Sequence, residues 1–159
     1  MSVHEDIRDA VAAVAGGLIH TAASGTTPAV YWFPRVYTAE TNTDFSKWDI
    51  PCLVASYDSA ERDVGGTNER DVFAYPVLLS YYAKGTPNST SRNGYDPTDV
   101  REILRKTFHM RRDGLIAQGI TNVLKGEYNG RPVVTFDLPR AEDLSTVVEI
   151  LVTARVARS

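Results

Sequence analysis

Five apolar residues at alternate positions, Val148, Ile150, Val152, Ala154 and Val156, stand near the end of the sequence, with Glu149, Thr153 and Arg155 between them. Alternation of this kind puts successive side chains on opposite faces of an extended chain, so Thr146 to Val156 reads as a strand with one buried face. Such a strand constrains everything before it. Its apolar face needs a sheet to join and a layer to cover that sheet, and both are expected from the preceding residues.

Those residues offer the parts. Ser2 and Glu5 form a capping box, and Val3, Ile7, Val11, Val14 and Leu18 follow at helical spacing. The spacing predicts an amphipathic helix from Val3 to Leu18 or Thr21, its stripe facing the core. Ala22 to Thr27 reads as a turn, and Ala29 to Phe33, aromatic and β-branched, as a strand that Pro34 limits to an edge or a bulge. Thr38 to Lys47 reads as polar loop. Pro51 to Tyr57 and Asp71 to Ala83 read as two strands of a hairpin with an extended tip, Asp58 to Asn68 being the connection. Phe73, Tyr75, Val77, Leu79 and Tyr81 share one face of the second strand, and Pro76 suggests an edge or a bulge.

In the second half, Asp96-Pro97 opens a helix: Asp caps it and Pro takes the first helical position. Val100, Ile103, Leu104 and Phe108 form its buried stripe, and it is expected to end near Asp113-Gly114. A bridge from Leu115 to Gln118 then leads to a strand from Ile120 to Tyr128. Asn129-Gly130 predicts a two-residue hairpin turn, with Arg131 to Leu138 returning. The expected fold is α+β: a mixed, mainly antiparallel sheet of about five to six strands, flanked by an N-terminal and a central helix, in one domain over residues 1–159.

Composition narrows the function classes. No apolar run approaches the ~20 residues needed to span a bilayer, and the acidic start of the sequence argues against a leader. Cys52 is the single cysteine, so no disulfide forms within the chain and a reducing compartment is expected. His4, His20 and His109 are scattered without metal-ligand spacing. Gly65-Gly66 has no phosphate-loop lysine. Asp58, Glu61 and Asp63 read as a solvated loop. No catalytic, metal or cofactor residues are assigned.

What remains are surfaces. Residues 1–99 carry 13 acidic and 7 basic side chains, a balance of −6. Residues 100–159 carry 7 and 10, a balance of +3. If the halves segregate in space, one copy could meet another through opposite charge. Arg101, Arg105 and Arg112 share one face of the central helix. They suit a neighbouring subunit's acidic residues or phosphates, although the plainest reading is a solvated face. Trp32-Phe33 and Tyr81-Tyr82 are adjacent aromatic pairs. Neighbours on a strand point to opposite sides, so one of each is expected in the core and the other, Trp32 and Tyr82, at a contact. Gly85 to Tyr95 is a long segment without periodicity, expected to order against a partner through Asn88, Arg92 and Tyr95.

This order of elements resembles the tail terminator (tail completion) proteins of tailed bacteriophages. The resemblance is carried by Asp99-Val100-Arg101-Glu102-Ile103-Leu104-Arg105-Lys106, by Val133-Val134-Thr135-Phe136-Asp137-Leu138-Pro139, and by Val147 to Arg155. It spans most of the chain as a pattern and contains no signature motif. It implies a non-enzymatic virion protein, assembled in the host bacterial cytoplasm. Its subunits would form a homo-oligomeric ring, commonly a hexamer, on the head-proximal end of the tail tube. The implied partners are the tail tube protein, a sheath where one exists, and neck or connector proteins. DNA would pass through the ring without specific binding, and no membrane is involved. Two alternatives stand beside it. One is another head–tail connector or neck protein. The other is a small soluble enzyme or ligand-binding domain, which would need a concave pocket with convergent polar groups that no residue spacing predicts.

Overall fold

The computed structural model describes residues 3–38, 51–57, 60–66, 70–83, 94–109, 111, 113–118, 123–131 and 144–157. Helix α1 (Val3–Gly16) is followed by two short strands, β1 (Ile19–Thr21) and β2 (Val30–Tyr31), paired only with each other. The main sheet takes β3 (Val36–Thr38), β4 (Cys52–Ser56), β5 (Arg62–Gly66) and β6 (Arg70–Tyr82). After helices α2 (Pro97–Phe108) and α3 (Asp113–Ala117) come β7 (Val123–Arg131) and β8 (Leu144–Ala157). The strand order is β3-β4-β6-β8-β7, with β5 beside β6. Only β3 and β4 run parallel, so the fold is α+β with a mixed, mainly antiparallel sheet, and the N-terminal and central helices are both present.

The alternating strand of the sequence is β8, and it lies inside the sheet. It pairs with β6 from Arg70↔Ala157 to Tyr82↔Leu144 and with β7 on its other side. One face carries Tyr75, Val77, Leu79 and Tyr81 of β6 and Val148, Ile150 and Val152 of β8. Ile7, Val11 and Ala15 of α1, Val100, Leu104 and Phe108 of α2, and Leu115 of α3 complete that core. Each fully buried Leu, Ile or Phe contributes about 1.5–3 kcal/mol. The second face was expected to be polar and wet, and here the structure differs. Glu149 is 2% exposed and Thr153 6%, alongside buried Cys52, Val54, Ser56, Leu78, Ser80 and Val147. A strand with neighbours on both edges sits where the sheet is most deeply covered, and alternation alone does not report that depth.

Tyr82, expected at a contact, is on this second face and 2% exposed, while Tyr81 is buried on the first. The pair therefore does not divide into core and surface. Of the other pair, Phe33 is buried in the core and Trp32 is half-buried against it.

Asn129 and Gly130 do not turn. They continue β7 and pair with Glu149 and Val148. A long partner strand continues the ladder through a dipeptide that would favour a turn in isolation, so tertiary pairing overrides the local preference. The expected return strand beyond Arg131 lies outside the described residues. Three further short elements were not expected as strand or helix. Val36–Thr38 and Arg62–Gly66 are strands, and Asp113–Ala117 is a helix turn and a half long. Elements of three to five residues carry too few positions to show a period.

Pro76 falls on an interior strand, not at an edge. The ladder between β4 and β6 stops at Ser56↔Leu78, and that between β5 and β6 starts at Arg62↔Ala74. Pro76 lies opposite the gap, where its missing N–H leaves nothing unpaired. Its carbonyl is met from α1: His4 Nε2–H donates to Pro76 O at 2.7 Å. His4 is 6% exposed. It stacks on Tyr57 at 4.1 Å and meets the edge of Tyr75 at 5.3 Å. Burial, with the Glu61 carboxylate adding to it, pushes the Tyr75 phenol above its ordinary value.

His4→Ala removes the donor and leaves a buried carbonyl unsatisfied. Urea unfolding should show a loss of about 1–3 kcal/mol, and His4→Gln, which keeps an N–H of similar reach, should recover part of it. Equal midpoints for His4→Ala and wild type would show that the bond does not hold α1 to the sheet.

Candidate functional site

Residues 10–34 contain no Asp, Glu, Lys or Arg; Arg35 is the first formal charge after Asp9. Beyond α1 this uncharged stretch builds an arm. Ile19 pairs with Tyr31 and Thr21 with Val30. Ser24 and Thr27 close its tip with two backbone bonds of 3.1 and 2.9 Å. Gly25 occupies the first central position of that turn at φ 57°, where a side chain would be strained and glycine is not. Residues 19–28 are all exposed. Ile19 (52%), Val30 (45%) and Tyr31 (43%) are among the most exposed large apolar residues described.

At its root the arm meets the domain through three rings. Trp32 N–H donates to Leu18 O at 2.9 Å, fixing the two strands together. The Trp32 ring is 4.6 Å from His20 and 4.7 Å from Tyr95, and His20 stacks on Tyr95 at 5.0 Å. His20 Nδ1 shares a 2.9 Å hydrogen bond with Thr21 Oγ1. Phe33 turns the other way and packs edge-on against Tyr81 at 5.8 Å. Tyr95 is itself held by its backbone N–H, which donates to Tyr81 Oη at 2.9 Å. Gly94 makes that approach feasible: its φ is +118°, and a Cβ there would lie 2.6 Å from Tyr81 Oη and 2.9 Å from Ala83 Cβ.

Between arm and sheet lies a cavity of 320 Å³ lined by Trp32, Phe33, Pro34, Pro51, Tyr81 and Tyr95, among others. None of its lining residues carries a formal charge. Beside it stands exposed Arg35, whose Nη1 donates to Pro51 O over a long 3.5 Å.

Of the residues singled out from sequence, the structure brings Trp32 and Tyr95 together and adds His20, which the sequence reading set aside. Two signals pointed here and were not combined: the uncharged run ending at Arg35, and a histidine, a tryptophan and a tyrosine flanking two turns. The basic helix face is divided. Arg101 is half-buried and donates from Nη1 to Thr146 Oγ1 of β8 at 3.2 Å. Arg105 makes two bonds to Glu102, of 3.2 and 2.6 Å, and Lys106 stands 3.7 Å from the same carboxylate. Arg112, Asn88 and Arg92 lie outside the described residues. Among the described residues no group of three or more His, Cys, Asp or Glu could hold a metal ion.

The hydrogen bonds from Arg105, with the nearby charges of Arg105 and Lys106, hold the Glu102 carboxyl below its ordinary value of 4.5. A lowered folded-state value means that the contribution is present above 4.5 and fades as pH falls through the lower, folded value. Acid unfolding of Glu102→Gln should lack that step, while stability at neutral pH changes little because the pair is exposed.

Gly94→Ala should cost about 1–3 kcal/mol in urea unfolding, from the left-handed backbone and the crowded Tyr81 hydroxyl together, and should disturb the Trp32 fluorescence environment. An unchanged midpoint would show that the segment relaxes freely. Comparison of the chain with protein-family models, with curated proteins and with solved structures returns no match.

Proposed function

We propose that this chain is a structural, ring-forming assembly subunit, and that its ring ends the tail tube of a tailed bacteriophage and joins it to the head or neck. The observation that carries the reading is the arm. A two-stranded ribbon is marginally stable alone in water, and this one exposes Ile19, Val30 and Tyr31 along residues with no formal charge. An exposed apolar element of that kind fits contact with a second molecule.

A ring needs two different patches on each subunit, because its contacts are head-to-tail. The arm is one candidate. The outer edges of the sheet, β3 and β7, are others, since each has a described neighbour on one side only. The Glu102–Arg105 pair lowers the free positive charge on α2, which suits a ring through which DNA passes without being gripped. The charge-paired interface is correspondingly reassigned. Arg101 serves the fold through Thr146, so the arm, and not the basic face, supplies the principal contact.

Native mass spectrometry and sedimentation should give a discrete closed species of about six subunits. Ile19→Asp with Tyr31→Asp should leave a folded monomer by circular dichroism while reducing ring population at least tenfold. Purified tail tubes incubated with wild-type protein should stop elongating, and those given the double variant should not. Binding to the portal side instead of the tube would assign the chain to the neck. A double variant that assembles as wild type would overturn the role of the arm.

A further inference from the structure

We propose that the aromatic cavity at the root of the arm binds an extended peptide segment of another protein, one that carries a bulky apolar anchor next to a carboxylate. Three observations converge on that occupant. At 320 Å³ the cavity is at the small end of ligand sites, suited to one or two side chains and not to a cofactor. Its walls are already rigid. Trp32 and Tyr95 lean together at 4.7 Å and 52°, Pro34 and Pro51 have fixed backbones, and Tyr95 is pinned through Tyr81. A preformed wall of aromatics and prolines loses little freedom on binding, and aromatic-lined grooves of this kind take extended segments.

The third observation is charge. Arg35 directly follows the lining residue Pro34 and reaches the carbonyl of the lining residue Pro51. It is exposed, and no described carboxylate lies within ion-pair distance of it. With no other formal charge back to Asp9, the arm presents an uncharged aromatic slot with Arg35 as the cation that the described residues place at its mouth. The complement is an apolar side chain with a carboxylate beside it. A nucleic-acid strand would call for several cations along a track, and among the described residues Arg35 alone stands beside the cavity. The inference does not depend on ring formation.

The test uses full-length protein diluted until it sediments as a monomer. It is titrated calorimetrically and by amide NMR with acetyl-Pro-Leu-Phe-Asp-Pro-amide and with the same peptide bearing Lys for Asp. The Asp peptide should bind saturably and shift the Trp32 indole and Tyr95 amide signals. The Lys peptide should bind about fivefold more weakly, the scale of one exposed ion pair, and added salt should narrow the gap. Arg35→Glu, at an exposed position, should invert the preference without altering the fold. Equal binding of both peptides, no saturable binding at millimolar peptide, or an unchanged preference in Arg35→Glu would overturn the proposal. So would peptide affinity that falls as protein concentration rises, because a second copy would then be the occupant.

Discussion

From Arg70 to Tyr82 every residue of β6 is paired with a residue of β8, and the rest of the molecule is built onto that ladder. The two strands are far apart in sequence, so their pairing closes a long loop and is entropically costly until side chains are buried on it. The burial comes from both faces. Tyr75, Val77, Leu79, Val148, Ile150 and Val152 face the helices, while Leu78, Ser80, Val147 and Glu149 lie sheltered on the reverse. Because both strands are interior, register is tightly held: a slip of one residue would exchange the two sets and bring Ser80 and Glu149 into an apolar core.

The same ladder explains the points at which local signals fail. Pro76 is tolerated inside a sheet because β4 and β5 share the other edge of β6 and leave a gap opposite it. His4 then meets the carbonyl that the gap leaves open. A residue in the first turn of α1 thereby becomes part of the sheet's hydrogen bonding. Helix and sheet are joined by a directional bond as well as by apolar packing, and a buried carbonyl makes that bond costly to lose. Asn129-Gly130 is drawn straight by β8 in the same way.

The arm is the contrasting element. It leaves the domain between α1 and β3, carries no formal charge, and is fixed at its root by His20, Trp32 and Tyr95. Its root is packed and its outer residues are not. That division gives it two roles in the proposals made above: the exposed strands offer a contact to another subunit, and the cavity beneath the root offers a rigid slot beside Arg35. The two roles meet at Val30 and Tyr31, which are exposed on the arm and also line the cavity; Ile19 belongs to the contact alone, and Trp32 and Tyr95 to the slot.

The sequence by itself determined the elements whose signals are local and long. The cap at Asp96-Pro97, the one-face pattern of β6 and the alternation of β8 appear where periodicity and capping place them, and with them the α+β class. Helix α1 is present with Ile7 and Val11 buried, but it ends at Gly16, Val3 is exposed, and Ile19–Thr21, expected at its end, is a strand. The sequence also separated Phe33 from Trp32. The tertiary structure alone decided what depends on neighbours. Glu149 and Tyr82 are buried because β6 and β8 are interior strands. Asn129-Gly130 is extended because β8 continues beside it. Arg101 is engaged because Thr146 lies within reach of α2. His20, Trp32 and Tyr95 form one cluster because Gly94, at a positive φ, lets the chain close against Tyr81. No period in the sequence encodes that approach; it follows from the absence of a single Cβ at a crossing of distant segments.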